Sequence, residues 1–287
     1  MHLERDANAS QEIIVFTPES QLRRPSVLIK QMGQDLLNSR ELAWQLLYKA
    51  ISIRYRQAAL GPLWAFLPPI IVAATSTALK NSGVIAIRDT SIPYPIYVMF
   101  ATALWILFAR SFELPLKAMR DGKQLLTTIR MPIEGLLLAA VGELLFDQAI
   151  QFLVLAVVFV GFQIQVTWGI LLAPFAALLL MFLGIGLGLF LVPVGSLYTD
   201  VASAMPFLTR FWFFLTPVVY PPPENWPYTM LVDLNPVTPL LSGTIDLTLK
   251  GQLNNPIFFV FIAVIALVLL LVGWVIYRVA IPILIER

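Results

Sequence analysis

Between Asp147 and Asp200 the chain carries no Asp, Glu, Lys, Arg or His. A bilayer-crossing helix needs about 20 mainly apolar residues, so this stretch is too long for one crossing. No water-facing surface of ordinary size can be built from it either. It reads as two spans joined by Gly161–Gly169, where Gln163, Gln165 and Thr167 supply a turn and Trp168 an interfacial aromatic. The rest of the chain agrees: 59% of residues are hydrophobic and only 13% charged, against about 25% charged in soluble domains. A soluble enzyme and a disordered polymer are excluded.

Other counts narrow the chemistry. The absence of Cys excludes disulfides, thiol catalysis and cysteine-ligated metal centres. The single His, His2, lies close to the N-terminus, so no catalytic or metal site is expected. A net charge of +2 is too balanced for a nucleic-acid binder.

Six spans are expected: Pro62–Leu79, Ser91–Ala109, Gly135–Val160, Ile170–Val194, Val201–Tyr220 and Pro256–Ala280. Alternating strands of a membrane barrel are not found. Residues 1–60 hold eight Lys/Arg and six Asp/Glu, and Ile13–Phe16 is too short for the apolar core of a signal peptide. The N-terminus is therefore expected to stay in the cytoplasm. With six spans both termini share that side, and 16 of the 19 Lys/Arg then fall inside, as the positive-inside rule requires. The division expected is a cytoplasmic segment 1–38, an amphipathic interface helix 39–60 and a permease domain 61–287.

In residues 40–57 one narrow stripe carries Glu41, Gln45, Lys49, Ser52 and Arg56. Leu42, Ala43, Leu46, Leu47, Ala50, Ile51 and Ile53 share the other side, flanked by Trp44, Tyr48 and Tyr55. Such a helix lies in the membrane interface or docks a cytoplasmic partner, with Arg54 and Arg56 at its polar edge. Lys117–Glu134 is a short charged loop, partly helical in pattern, with a turn expected at Asp121-Gly122. It is either a solvated connector or a short helix presented to a partner below the membrane. Glu143 and Asp147, four apart on one helix face within the third span, could form a proton relay or lie near the inner interface. Gly184, Gly186 and Gly188 lack the flanking strand and spacing of a phosphate loop and instead permit close helix packing. No GK[ST]-ended phosphate loop occurs, so any ATPase must be another polypeptide. The segment 221–255, with Pro221, Pro222, Pro223, Pro227, Pro236 and Pro239, suits two re-entrant half-helices between the fifth and sixth spans.

These residues also carry a resemblance. Arg54-Tyr55-Arg56-Gln57 followed by Leu60-Gly61-Pro62-Leu63-Trp64-Ala65-Phe66-Leu67 resembles the start of ABC exporter permeases for cell-surface polysaccharides. Tyr198-Thr199-Asp200-Val201, Phe213–Pro221 and the Asn235-Pro236-Val237-Thr238-Pro239-Leu240-Leu241 run resemble further motifs of that family. The likeness implies an all-α homodimer of six-span subunits in the bacterial inner membrane, with one cytoplasmic ABC ATPase subunit beneath each. ATP and Mg would be bound by that partner and no cofactor by this chain. It makes the loop 117–134 a coupling element, with Arg54, Arg56, Arg120, Asp121, Gln124, Arg130 and Glu134 toward the ATPase. Trp64, Phe66, Trp212, Phe213 and Tyr220 would line the path of a lipid-linked glycan. Rival readings are an ABC exporter of a drug or lipid, and a proton-coupled transporter using Glu143 and Asp147. A membrane glycosyltransferase lacks any acidic constellation beyond the scattered Asp89, Glu224, Asp233 and Asp246.

Overall fold

The GIGLG run decides how the helices assemble. In the computed structural model, which describes residues 25–56, 67–83, 92–128, 133–223 and 228–285, the glycines sit mid-way along a central helix. A Cβ on Gly184 would lie 2.6 Å from Ser111 Cβ and 2.8 Å from the Phe108 carbonyl oxygen. One on Gly188 would strike the Phe112 carbonyl. Gly186, on the opposite side, faces the backbone of Leu269 and Leu270, and a Cβ on Gly273 would lie 2.9 Å from the Gly186 carbonyl oxygen. Small residues thus bring three backbones together, as expected for helices that cannot rely on hydrophobic expulsion inside lipid.

In chain order the helices are α1 (Pro25–Asn38), α2 (Arg40–Arg56), α3 (Leu67–Asn81), α4 (Tyr94–Thr128), α5 (Ile133–Gly161), α6 (Ala173–Leu197), α7 (Thr199–Leu215), α8 (Tyr228–Asp233), α9 (Val237–Lys250) and α10 (Pro256–Ile285). A 3₁₀ turn, Trp168–Leu171, precedes α6. Among the described residues every regular element is helical. The central helix is α6, packed between α4 and α10, and its Leu180, Leu183, Leu189 and Val192 are fully buried. In contrast α10 turns Ile257, Val260, Phe261, Val264, Val268 and Leu271 outward, an apolar surface of the kind lipid covers.

Four helices are long and apolar enough to cross a membrane: Tyr94–Lys123, Ile133–Gly161, Ala173–Leu197 and Pro256–Ala280. The protein is a multi-pass membrane protein. Those four correspond to the second, third, fourth and sixth expected spans. The described part of the first begins at Leu67, and Trp64 and Phe66 lie outside the described residues. The fifth ends as a helix at Leu215, and Thr216–Tyr220 continues it in turns. Two short helices, α8 and α9, occupy the proline-rich segment.

One expectation is overturned. The second span does not stop at Ala109: α4 runs unbroken through Arg110, Pro115, Lys117, Asp121 and Gly122 to Thr128. The turn expected at Asp121-Gly122 therefore does not form. Asp-Gly favours a turn when nothing else is at stake, but here Gly122 is buried, and a Cβ would collide with the Leu136 side chain of α5. The glycine serves close packing between helices. Pro115 is tolerated although an interior proline removes one helical hydrogen bond, and a Cβ on Gly188 would lie 3.0 Å from its ring. At 1.5 Å per residue α4 is about 52 Å long, well beyond a hydrocarbon core of about 30 Å.

Candidate functional site

The amphipathic helix is seated by small residues and then fixed by charge. Along α5, Gly135, Ala139 and Gly142 form a shallow stripe. A Cβ on Gly135 would be 3.3 Å from Ser39 Cβ, and one on Gly142 2.8 Å from a Leu47 methyl. Leu42, Ala43, Leu46, Leu47, Ala50 and Ile51 of α2 are buried or half-buried. Glu41, Gln45, Lys49, Ser52 and Arg56 are exposed, as the polar stripe requires. Ile53, read on the apolar side, is 49% exposed, beside the exposed Trp44 and Tyr48.

At the end of α2, Arg54 crosses to α5. Its Nη1 donates to both carboxylate oxygens of Asp147, at 3.1 and 2.9 Å, and its Nη2 to Glu143 Oε2 at 2.5 Å. Arg110 of α4 donates to Asp147 Oδ2 at 2.6 Å. Asp147 is 6% exposed; two guanidinium groups compensate a charge that would be costly alone. The two carboxylates thus face arginines.

A second ionic cluster lies at the start of α5. Arg278, near the end of α10, donates through Nη1 to Glu134 and through Nη2 to Asp35 Oδ2 of α1 at 2.5 Å. Glu134 is 4% exposed. One arginine therefore ties the N-terminal helix, the first turn of α5 and the C-terminal span together. Of the residues expected to face a partner, Arg54, Arg56, Arg120 and Asp121 are exposed, Arg54 while bridging to α5, and Glu134 is buried in this cluster. Arg130 and the Gln124 side chain lie outside the described residues.

The opposite end is organised by neutral hydrogen bonds. Asn235, 6% exposed, accepts through Oδ1 from Trp212 Nε1 at 3.0 Å and from the Val237 amide at 3.1 Å. Its Nδ2 donates to Thr216 Oγ1 at 2.8 Å and toward the Leu215 carbonyl at 3.4 Å. All its polar capacity is used to join the end of α7 to the start of α9. Trp212 is thereby held edge-on against Phe108, ring centroids 5.1 Å apart, and against Phe112 at 6.1 Å. Phe213 meets Trp105 at 5.8 Å, and the Tyr220 hydroxyl donates to the Phe214 carbonyl at 3.0 Å. Trp212, Phe213 and Tyr220 are half-buried, while Phe207, Phe211 and Phe214 are the rings most exposed on α7. Tyr94 and Tyr97 close the region by donating to the Val219 and Pro217 carbonyls at 2.7 and 3.4 Å.

The sequence reading missed α1, the Asp35–Arg278–Glu134 cluster and the part played by Arg110. Arg278 carried the one available signal, a single charge closing a long apolar run.

A bundle of long apolar helices, with an amphipathic helix pinned to one end and short helices at the other, defines a multi-pass membrane protein. The chain belongs to the ABC-2 type transporter family, whose pattern matches residues 41–249. It is similar to the O-antigen export system permease protein RfbA of Myxococcus xanthus, 24% identical over 216 residues that cover 74% of this chain and 82% of that one. It is also similar to the polysialic acid transport protein KpsM of Escherichia coli, 23% identical over 248 residues, 81% of this chain and 91% of that one.

Proposed function

We propose that this chain is the permease subunit of an ABC exporter that moves a lipid-linked cell-surface polysaccharide across the bacterial inner membrane. The observation that carries this reading is the extent of the two likenesses: each runs through most of both chains, so it concerns the whole permease rather than one shared helix pair. Two such subunits form the transport path, each with its own cytoplasmic ATPase, which binds ATP and Mg. Permeation itself needs no covalent chemistry from this chain.

Six crossings per subunit complete the topology: the four long helices, the first span that includes α3, and α7 continued to Tyr220. Both termini then lie in the cytoplasm. The lower part of α4 projects below the bilayer and, with Arg120 and Asp121 exposed, receives the ATPase. Arg54 acts one step behind that contact, transmitting movement of α2 to α5 through Glu143 and Asp147. On the outer side α8 and α9 re-enter the outer leaflet, and Trp212, Phe213 and Tyr220 flank the exit. Sequence-tolerant sliding of sugar rings over aromatic faces suits a polymer substrate.

Deleting the gene should abolish surface polysaccharide, and native-membrane purification of the tagged protein should recover a stoichiometric phosphate-loop ATPase. Transport activity without any ATPase partner would refute the proposal.

A further inference from the structure

Under the Pro221-Pro222 segment, the first turn of α4, α8, α9 and the start of α10 line a half-open cavity of about 340 Å³. That lies within the range of small-molecule sites, about 300–1,000 Å³. Its wall is mainly apolar but carries one charged pair. Asp246, 8% exposed, pairs with Lys250 across one helical turn at 2.8 Å. A carboxylate only accepts and an ammonium only donates, so the pair presents adjacent acceptor and donor with no net charge.

Two further residues of the same wall, Thr238 and Ser242, stand one turn apart on α9. Thr238 is 6% exposed, and both hydroxyl oxygens are buried without a hydrogen-bond partner in the protein. Neither oxygen is accessible from the cavity, so these two residues shape the wall without bonding to an occupant. At the rim the exposed Asn254 adds an amide, and Phe258 presents a ring 38% exposed.

We propose that this cavity binds one sugar ring of the exported glycan. Vicinal hydroxyls match the pair in complementary fashion, one donating to Asp246 and its neighbour accepting from Lys250. The Phe258 ring offers the apolar face that the C–H side of a pyranose needs. An anionic phospholipid headgroup fits poorly, because its phosphate would meet the buried Asp246 carboxylate. This inference rests on the polysaccharide reading above and adds to it a discrete recognition site.

The test uses the full-length protein with its ATPase in lipid nanodiscs. The probe is the neutral oligosaccharide fraction released by mild acid from the surface polysaccharide of the parent cells, and binding is read by saturation-transfer NMR. Wild type should show transfer. The double variant Asp246→Leu/Lys250→Leu should bind at least about tenfold more weakly, since about 1.4 kcal/mol is tenfold. Removing both charges together strands neither, so folding should survive; the melting temperature checks this. If the double variant unfolds, Asn254→Ala and Phe258→Ala at the rim decide, each expected to weaken binding about threefold. Unchanged affinity in a folded variant, no transfer to wild type, or displacement of the sugar by short-chain phosphatidylglycerol would each overturn the site. Gene deletion separates the two proposals: persisting surface polysaccharide defeats the export reading itself, whereas lost polysaccharide with no sugar binding defeats the cavity alone.

Discussion

The two ends of this bundle are fastened by different chemistry. At the α1–α2 end, helices are joined by arginines reaching carboxylates: Arg54 and Arg110 on Asp147, Arg278 on Glu134 and Asp35. At the α8–α9 end, the joint is Asn235 with Trp212, Thr216 and Val237, all neutral. Ion pairs reach far but weaken with salt and exposure. A fully satisfied buried amide is short-ranged, directional and indifferent to salt. The first end is joined by contacts that can yield and re-form; the second holds its rings in one arrangement.

That contrast can be broken at measurable points. The largest effect is expected from Glu134→Ala, which removes a buried partner of Arg278 and should cost roughly 3 kcal/mol. The thermal midpoint in detergent should fall sharply, and Glu134→Leu/Arg278→Met should recover most of the loss. If the single variant melts as wild type does, the cluster does not hold this end. Asn235→Ala should come next, at about 2 kcal/mol, because it leaves the Trp212 indole and the Val237 amide without acceptors. This loss should be equal in low and high salt, and Trp212 fluorescence should shift. A salt-dependent loss would erase the distinction drawn between the ends.

Arg54→Gln should cost about 1 kcal/mol, since Arg54 is partly solvent-exposed. The difference from wild type should shrink as salt rises. Arg56→Gln, one turn-edge away and exposed, should change stability by less than about 0.5 kcal/mol. Equal effects at Arg54 and Arg56 would show that general surface charge, not the bridge to α5, matters. In reconstituted vesicles, Arg120→Ala/Asp121→Ala should leave the melting curve in place while reducing transport per ATP hydrolysed. Unaltered coupling would place the ATPase contact elsewhere.

What the sequence made legible follows from which forces are local. Apolar length and the small-residue spacing at Gly184, Gly186 and Gly188 are written in consecutive residues, and both reappear as spans and close packing. So does the amphipathic face of α2. The end of α4 was not legible in the same way. Lys117, Arg120, Asp121 and Lys123 resemble loop composition, yet a helix that leaves the bilayer is free to carry charges without unwinding. Gly122 was ambiguous for a related reason: its value lies in Leu136, a residue of the next helix. The site was harder still. Arg54 with Asp147 and Arg278 with Asp35 are tertiary pairs between distant parts of the chain, and no periodicity announces them. Asn235 could be read as a turn residue from the following proline, but its bond to Trp212 depends on where α7 ends.

The continuity of α4 has a mechanical consequence. An unbroken shaft about 52 Å long, pivoted at mid-length where Gly184 and Gly188 grip it, is a lever with arms of about 26 Å. A tilt of about 5° would carry each tip roughly 2 Å in opposite directions. A push delivered near Arg120 would therefore arrive, reversed in sense, at Tyr94 and Tyr97, whose hydroxyls hold the turns after α7. Pro115, between Arg120 and that pivot, is where bending would absorb such a push.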